Sequence, residues 1–272
     1  MGAEKELPTE FEVDTLNQFA LERVDQYRKL QIGNFEIPTP FFSNDTASLF
    51  AQMMTDSSIP KEDIEKVFEI YNNNRVSFGW YRGKGTPEQI TFAAEEIAKK
   101  WDLDLSKAAR PEVIVEFMKS AGLGIDCSGL VYQTLRYSFG KAGWPSVLDN
   151  ALEWEDSSWV GNEYKTGINN FTGEASIAIQ PEDVRPLDII VLKNSTREKY
   201  SHIALVLEMN EQLVVAHSVI GQIPSGVHIS SMRIENGFPY FGFRPNLTER
   251  WEELYNKERL EFRRLRLNKK SH

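Results

Sequence analysis

The first half of the chain carries its apolar residues at helical spacing. Leu16, Phe19, Ala20, Val24 and Tyr27 recur three or four positions apart and predict an amphipathic helix, which Pro38 and Pro40 bring to an end. A second stripe, Ile64, Val67, Phe68 and Tyr71, predicts a helix that starts near Pro60 and stops at Asn72-Asn73-Asn74. Ser77 to Gly85 mixes aromatic residues with glycine and reads as a turn or loop. Thr86-Pro87-Glu88 has the order of a helix start: an N-cap hydroxyl, proline at the first position, then an acid. That helix runs to Trp101. Arg110-Pro111 opens another through Val113, Val115, Phe117 and Met118 to Gly122. Leu130, Val131, Leu135 and Phe139 place one more over Cys127 to Phe139.

Further on, the elements change. Leu187–Leu192, Ile203–Glu208, Leu213–Ser218, Val227–Ser231 and Tyr240–Phe243 are short, β-branched or aromatic, and parted by turn residues. Short links between consecutive strands predict an antiparallel meander. Helices first and strands after give an α+β fold. Between the two halves, Gly140 to Glu182 holds Trp144, Trp154, Trp159 and Tyr164 among seven acids. It is either a lid or an aromatic cluster that buries its own loop. Glu249 to Lys270 reads as a charged helix, eight basic residues against five acidic, docking through Trp251, Leu254, Phe262 and Leu265. The chain thus divides into an N-terminal helical extension or small accessory domain over 1–60, a main domain over 61–247 and a C-terminal charged helix over 248–272.

Composition narrows the function. A net charge of −9 argues against a generic nucleic-acid binder. No apolar run is long enough to span a membrane, and Met1 to Glu6 has no signal-peptide core. A complete chain is therefore expected in the cytoplasm, and one that has lost a leader outside the cell or at the cell wall. One cysteine excludes an internal disulfide and every multi-cysteine zinc cluster. No metal or organic cofactor is expected.

That cysteine has an informative setting. Gly122-Leu123-Gly124-Ile125 is a loop approach, Asp126 a natural N-cap, and Cys127 the first residue of a helix. Unpaired N–H groups and the positive dipole end at such a place favour a thiolate, and the same N–H groups can donate to an oxyanion. Gly129 leaves room for close approach. A nucleophilic thiol needs a base, and the base an orienting partner. His202 opens one strand and His217 lies near the end of the next. A two-residue turn at Asn210-Glu211 sets His217 opposite Ala204, making the two histidines diagonal neighbours roughly 7–8 Å apart at Cα, and a four-residue turn over 208–211 sets His202 directly opposite His217. Either register puts both imidazoles on one face of the sheet. His228 has no role in this reading.

Asp126-Cys127-Ser128-Gly129-Leu130-Val131 resembles the nucleophile signature of the NlpC/P60 cysteine peptidases. Arg185-Pro186-Leu187-Asp188-Ile189-Ile190, Ser201-His202-Ile203-Ala204-Leu205-Val206 and Val215-Ala216-His217-Ser218 resemble later strands of that family in the same order, over roughly residues 64 to 245. The resemblance implies a papain-like α+β fold, with the nucleophile helix packed on an antiparallel sheet. It implies Cys127 as nucleophile, His202 as general base and His217 as the residue that orients it. It further implies that Asp126 and Ser128 bind the free amine end of a peptidoglycan stem peptide, cut between γ-linked D-glutamate and a diamino acid. Two departures stand out. Leu187 takes the place of a family glycine, and the aromatic segment that contacts substrate, matched here by Trp80 and Tyr81, lies well upstream of the cysteine. An amidase or acyltransferase on the same three residues, or a binding module in which they are idle, are the alternatives.

Overall fold

The structure is a computed structural model and describes residues 10–42, 83–152, 154, 166–193, 199–210, 212–219, 226–235, 238–240 and 260–267. The helix expected from Pro60, the aromatic residues Trp80 and Tyr81, and Trp251 and Leu254 of the tail lie outside the described residues.

Helix α1, Glu10–Arg28, buries Leu16, Ala20, Val24 and Tyr27, the stripe legible in the sequence. A small hairpin follows, β1 Leu30–Ile32 and β2 Phe35–Ile37, turned at Gly33 with φ +57°. Helix α2, Pro87–Lys100, begins with a capping box: the Gln89 N–H donates to the Thr86 hydroxyl, and the Thr86 N–H donates to the Gln89 side chain. Helix α3, Pro111–Ser120, buries Ile114, Val115, Phe117 and Met118, while Val113 is exposed. Helix α4, Cys127–Lys141, carries the lone cysteine at its first position, and α5, Val147–Ala151, is one short turn after it.

Seven strands form one antiparallel sheet: β3 Ser176–Ile179, β4 Ile189–Lys193, β5 Tyr200–Met209, β6 Gln212–Val219, β7 Gly226–Glu235, β8 Phe238–Tyr240 and β9 Leu260–Leu265. Their spatial order is β3-β9-β4-β5-β6-β7-β8. The run from β4 to β7 is the expected meander, and β8 follows it; of the strand expected over Tyr240–Phe243, only Tyr240 is among the described residues. Ile189, Val191, Ile203, Leu205 and Ala216 face the helices and share a core with Leu130, Val131, Leu135 and Phe139 of α4 and with Leu16 and Ala20 of α1. Ile190, Leu192, Ala204, Val206, Leu213 and Val215 form a second cluster on the opposite face. Residues 10–42 therefore contribute to the same core as the sheet.

The tail corrects the sequence reading. Residues 260–265 form a strand inserted between β3 and β4, not part of a charged helix. Their own period is two: Leu260 and Phe262 are buried, and Glu261 and Arg263, which follow each of them, are partly exposed. Two open strand edges and a buried carboxylate outweigh the helical spacing of the longer segment. Arg264 donates to both oxygens of Asp188 at 2.8 Å, and Asp188 also accepts the Arg185 N–H at 2.9 Å, closing the turn into β4. In that turn Leu187 has φ +72°, the left-handed region that favours glycine. Where it is described, the Gly140–Glu182 stretch packs on α4 and the main core, with Leu148, Leu152 and Phe171 buried there and Ser176–Ile179 paired with β9. The Tyr132 hydroxyl donates to Asp149 at 2.6 Å, the Trp154 ring meets that of Tyr132 edge-on at 6.1 Å, and its N–H donates to the Asp149 carbonyl. Among the described residues, no helix is long and apolar enough to cross a membrane.

Candidate active site

The entry to α4 is tied down from several directions. The Asp126 side chain caps the helix by accepting the Gly129 N–H at 2.6 Å. The Asp126 N–H donates to the Gly83 carbonyl at 2.9 Å, and the Ile125 N–H to the Pro40 carbonyl at 3.0 Å. The Ile125 carbonyl accepts the Phe42 N–H at 3.2 Å and the Ser218 hydroxyl at 2.7 Å. Residues 39–42 also reach the sheet, since the Val227 N–H donates to the Thr39 carbonyl. Gly129 is required by contact: a Cβ there would lie 2.2 Å from the Gly83 carbonyl oxygen.

Close beside Cys127 lies a residue that the sequence reading missed. Lys84 is fully buried, and its Nζ lies 2.6 Å from both Asp126 oxygens and from the Ser128 hydroxyl. Its carbonyl accepts the Gln133 side-chain amide at 2.7 Å, and Ser128 Oγ lies 3.2 Å from the Thr166 carbonyl. Burial pushes the Asp126 carboxyl up, while the Lys84 ammonium, the Gly129 N–H and the Ser128 hydroxyl pull it down. Asp126 and Ser128 are the residues expected to bind a substrate amine. Both are buried, and an ammonium of the chain itself occupies them. Lys84 sits in a Gly-Lys-Gly segment, and nothing in that pattern alone distinguishes a buried cation from a solvated one.

Cys127 is the first residue of the helix and is half-buried. The Ile203 N–H is directed at its sulfur, which sets the thiol against the residue that follows His202. The β5–β6 ladder runs from Met209↔Leu213, through a bulge between Val206 and Glu208, to Leu205↔Ala216. Continued one step, that register sets Ala204 opposite His217, the first of the two registers the sequence left open. His202 Nε2 and His217 Nδ1 are 3.4 Å apart, with the rings nearly edge-on. His217 Nε2 lies 2.9 Å from Ser230 Oγ on β7. His228 pairs with His217 in register, and their ring centroids are 6.4 Å apart. Ser230 was invisible in the sequence because its face is defined only once the β6–β7 register is known.

The electrostatics also depart from expectation. Burial pushes the Cys127 thiol up to about 11; the Asp126 charge adds to this, and Lys84 and the N–H groups of Ile203 and Ser128 oppose it. Burial pushes His202 down to about 4. His217 is lowered as well, by burial and then by the His202 and His228 imidazoles. The resting site is thus a neutral thiol with neutral imidazoles, not the preformed thiolate expected at a helix mouth. A buried site next to a carboxylate outweighs the helix end. Trp80 and Tyr81, the other two expected substrate contacts, lie outside the described residues. Among the described residues, no cluster of His, Cys, Asp or Glu has the arrangement to hold a metal ion. No family model, curated protein or solved structure matches the chain.

Proposed function

We propose that the protein is a cysteine hydrolase of amide bonds, an endopeptidase of the NlpC/P60 type acting on peptidoglycan-derived peptides at the γ-D-glutamyl–diamino acid bond. One observation carries the reading. Cys127 lies against the start of β5, and from His202 a line of ring nitrogens runs through His217 to Ser230. If the His217 Nε2–H donates to Ser230, His217 Nδ1 accepts from the His202 Nε2–H. His202 Nδ1 is then the nitrogen that takes the thiol proton. The orienting partner of the base is thus a neutral imidazole, held in one tautomer by a hydroxyl.

Chemistry follows from the neutral resting state. As sulfur attacks the carbonyl carbon, its proton passes to His202, and N–H groups of the first turn of α4 stabilise the oxyanion. Collapse expels the amine, which leaves with the proton from His202, and a thioester remains on Cys127. Water then attacks the thioester with His202 as base, releasing a carboxylate and restoring the thiol. The test is incubation with synthetic stem peptides and identification of the fragments by mass spectrometry. Wild type is expected to split the chain after D-glutamate, and Cys127→Ala is expected to leave it whole. Fragments that form equally in both would overturn the proposal.

A further inference from the structure

The mouth of the nucleophile helix holds a cation that the steps above do not use. A carboxylate and a hydroxyl on either side of a nucleophile form a set of acceptors on which an ammonium brought by a substrate would settle. In this chain that set is already filled. Lys84 Nζ meets Asp126 Oδ1, Asp126 Oδ2 and Ser128 Oγ, each at 2.6 Å. Both carboxylate oxygens and the hydroxyl are thus engaged by the chain's own ammonium. Asp126 Oδ1 accepts the Gly129 N–H besides.

The lysine is also fixed along its length. Its side chain is wholly buried, its carbonyl accepts from Gln133, and its backbone bridges to Ile125. Gly83, at φ +68°, lets the chain pass this close to α4. A second ammonium arriving here would put two cations on one carboxylate in a buried place, where an unpaired charge is strongly disfavoured.

We propose that Lys84 is a specificity-determining residue whose ammonium permanently fills a cation subsite beside Cys127, so that the protein takes acyl donors whose amine end is blocked or uncharged. The meaning of this for turnover rests on Cys127 being the nucleophile. The occupied subsite itself does not, and it is tested without turnover. Cys127 is the only thiol, so reaction with a methanethiosulfonate reports on it alone. The full chain is treated with neutral methyl methanethiosulfonate and with cationic aminoethyl methanethiosulfonate, each rate being divided by that for free cysteine.

Wild type is expected to give the cationic reagent no advantage. Lys84→Ala, which leaves Asp126 to the incoming ammonium, is expected to raise the cationic-to-neutral ratio at least tenfold. A cationic advantage of tenfold or more in wild type overturns the proposal, and so does an unchanged ratio in a Lys84→Ala protein that circular dichroism finds folded. If that variant does not fold, the wild-type ratio decides. A second arm compares kcat/KM for peptides matched except for acetylation of the amine end. The blocked peptide is expected to be favoured at least tenfold, and a preference for the free amine overturns the proposal. Cleavage of neither peptide counts against the hydrolase reading, while the reagent ratio still decides the occupancy of the subsite.

Discussion

Two alanine substitutions in one helix are expected to act in opposite directions. In Gly129→Ala the new Cβ would lie 2.2 Å from the Gly83 carbonyl oxygen, 3.0 Å from Lys84 Cδ and 3.1 Å from Asp126 Oδ1. Ordinary carbon–oxygen contacts are about 3.3 Å or longer, so residues 83–84 would have to retreat by about 1 Å. They are poorly placed to do so. The Gly83 carbonyl holds the Asp126 N–H, and behind it the Phe42 carbonyl lies 2.9 Å from the position of a Gly83 Cβ. Overpacking of this kind costs about 1–3 kcal/mol. Drawing Lys84 away from Asp126 adds part of the roughly 3–5 kcal/mol lost when a buried ion pair is broken. The expected total is about 3–5 kcal/mol. At Gly140, in the last turn of the same helix, an added Cβ meets nothing within 4 Å. Gly140→Ala is expected to stabilise by about 0.5–1 kcal/mol through backbone entropy alone. Urea unfolding followed by circular dichroism measures both, as midpoint shifts at constant slope. A Gly129→Ala cost below about 1 kcal/mol, or equal costs at the two sites, would refute the packing argument.

The remaining predictions are shorter. His202 is held at about 4 in the folded chain against an ordinary 6.5, so on acidification the unfolded chain takes up the proton first. Stability present above pH 6.5 is lost as pH falls towards 4, by up to about 3 kcal/mol at 1.36 kcal/mol per unit, and a Tm that stays flat from pH 7 to 4.5 would contradict this. On the alkaline side, Cys127 moves from 9.0 to about 11. The unfolded thiol ionises first, so stability falls between those values in wild type, and this part of the decline is expected to be absent in Cys127→Ala. Ser230→Ala frees the His217 tautomer. It is expected to lower kcat about tenfold while Tm changes little, and an unchanged kcat would remove Ser230 from the line of hydrogen bonds. Arg264→Met leaves Asp188 buried without its partner. It is expected to cost about 2 kcal/mol, less than a fully buried pair, because the arginine keeps 27% of its side chain in water.

What the sequence disclosed was mostly local. The apolar stripe of α1, the Thr86 N-cap with Pro87 after it and the Asp126 N-cap are each encoded within a few residues, and all three are present as expected. The pairing argument for His202 and His217 reached the right register by compensation: Met209 faces Leu213 rather than Gln212, so the turn is one residue longer than assumed, and the bulge between Val206 and Glu208 takes up the extra residue. What stayed hidden depends on distant partners. The β1–β2 hairpin is too short to show a period. Leu260–Leu265 joins the sheet only because β3 and β4 present edges to it, and its arginines find Asp188 and Ser176 from across the chain. Lys84 reads as an ordinary surface cation until Gly83 and Gly129 are seen to bring its backbone against the helix. It lies on Asp126 and Ser128, the two residues read as amine contacts, while Asp126 also caps the helix as expected.

The central claim is that the sulfur of Cys127 becomes covalently acylated during turnover. The most direct measurement is the intact mass of the protein, quenched in acid at successive times during reaction with a stem peptide. The account predicts a transient increase equal to the acyl half of the substrate, located on Cys127 by peptide mapping and absent from Cys127→Ala. Cleavage products that accumulate with no such adduct at any time, or that form undiminished without the thiol, would contradict it.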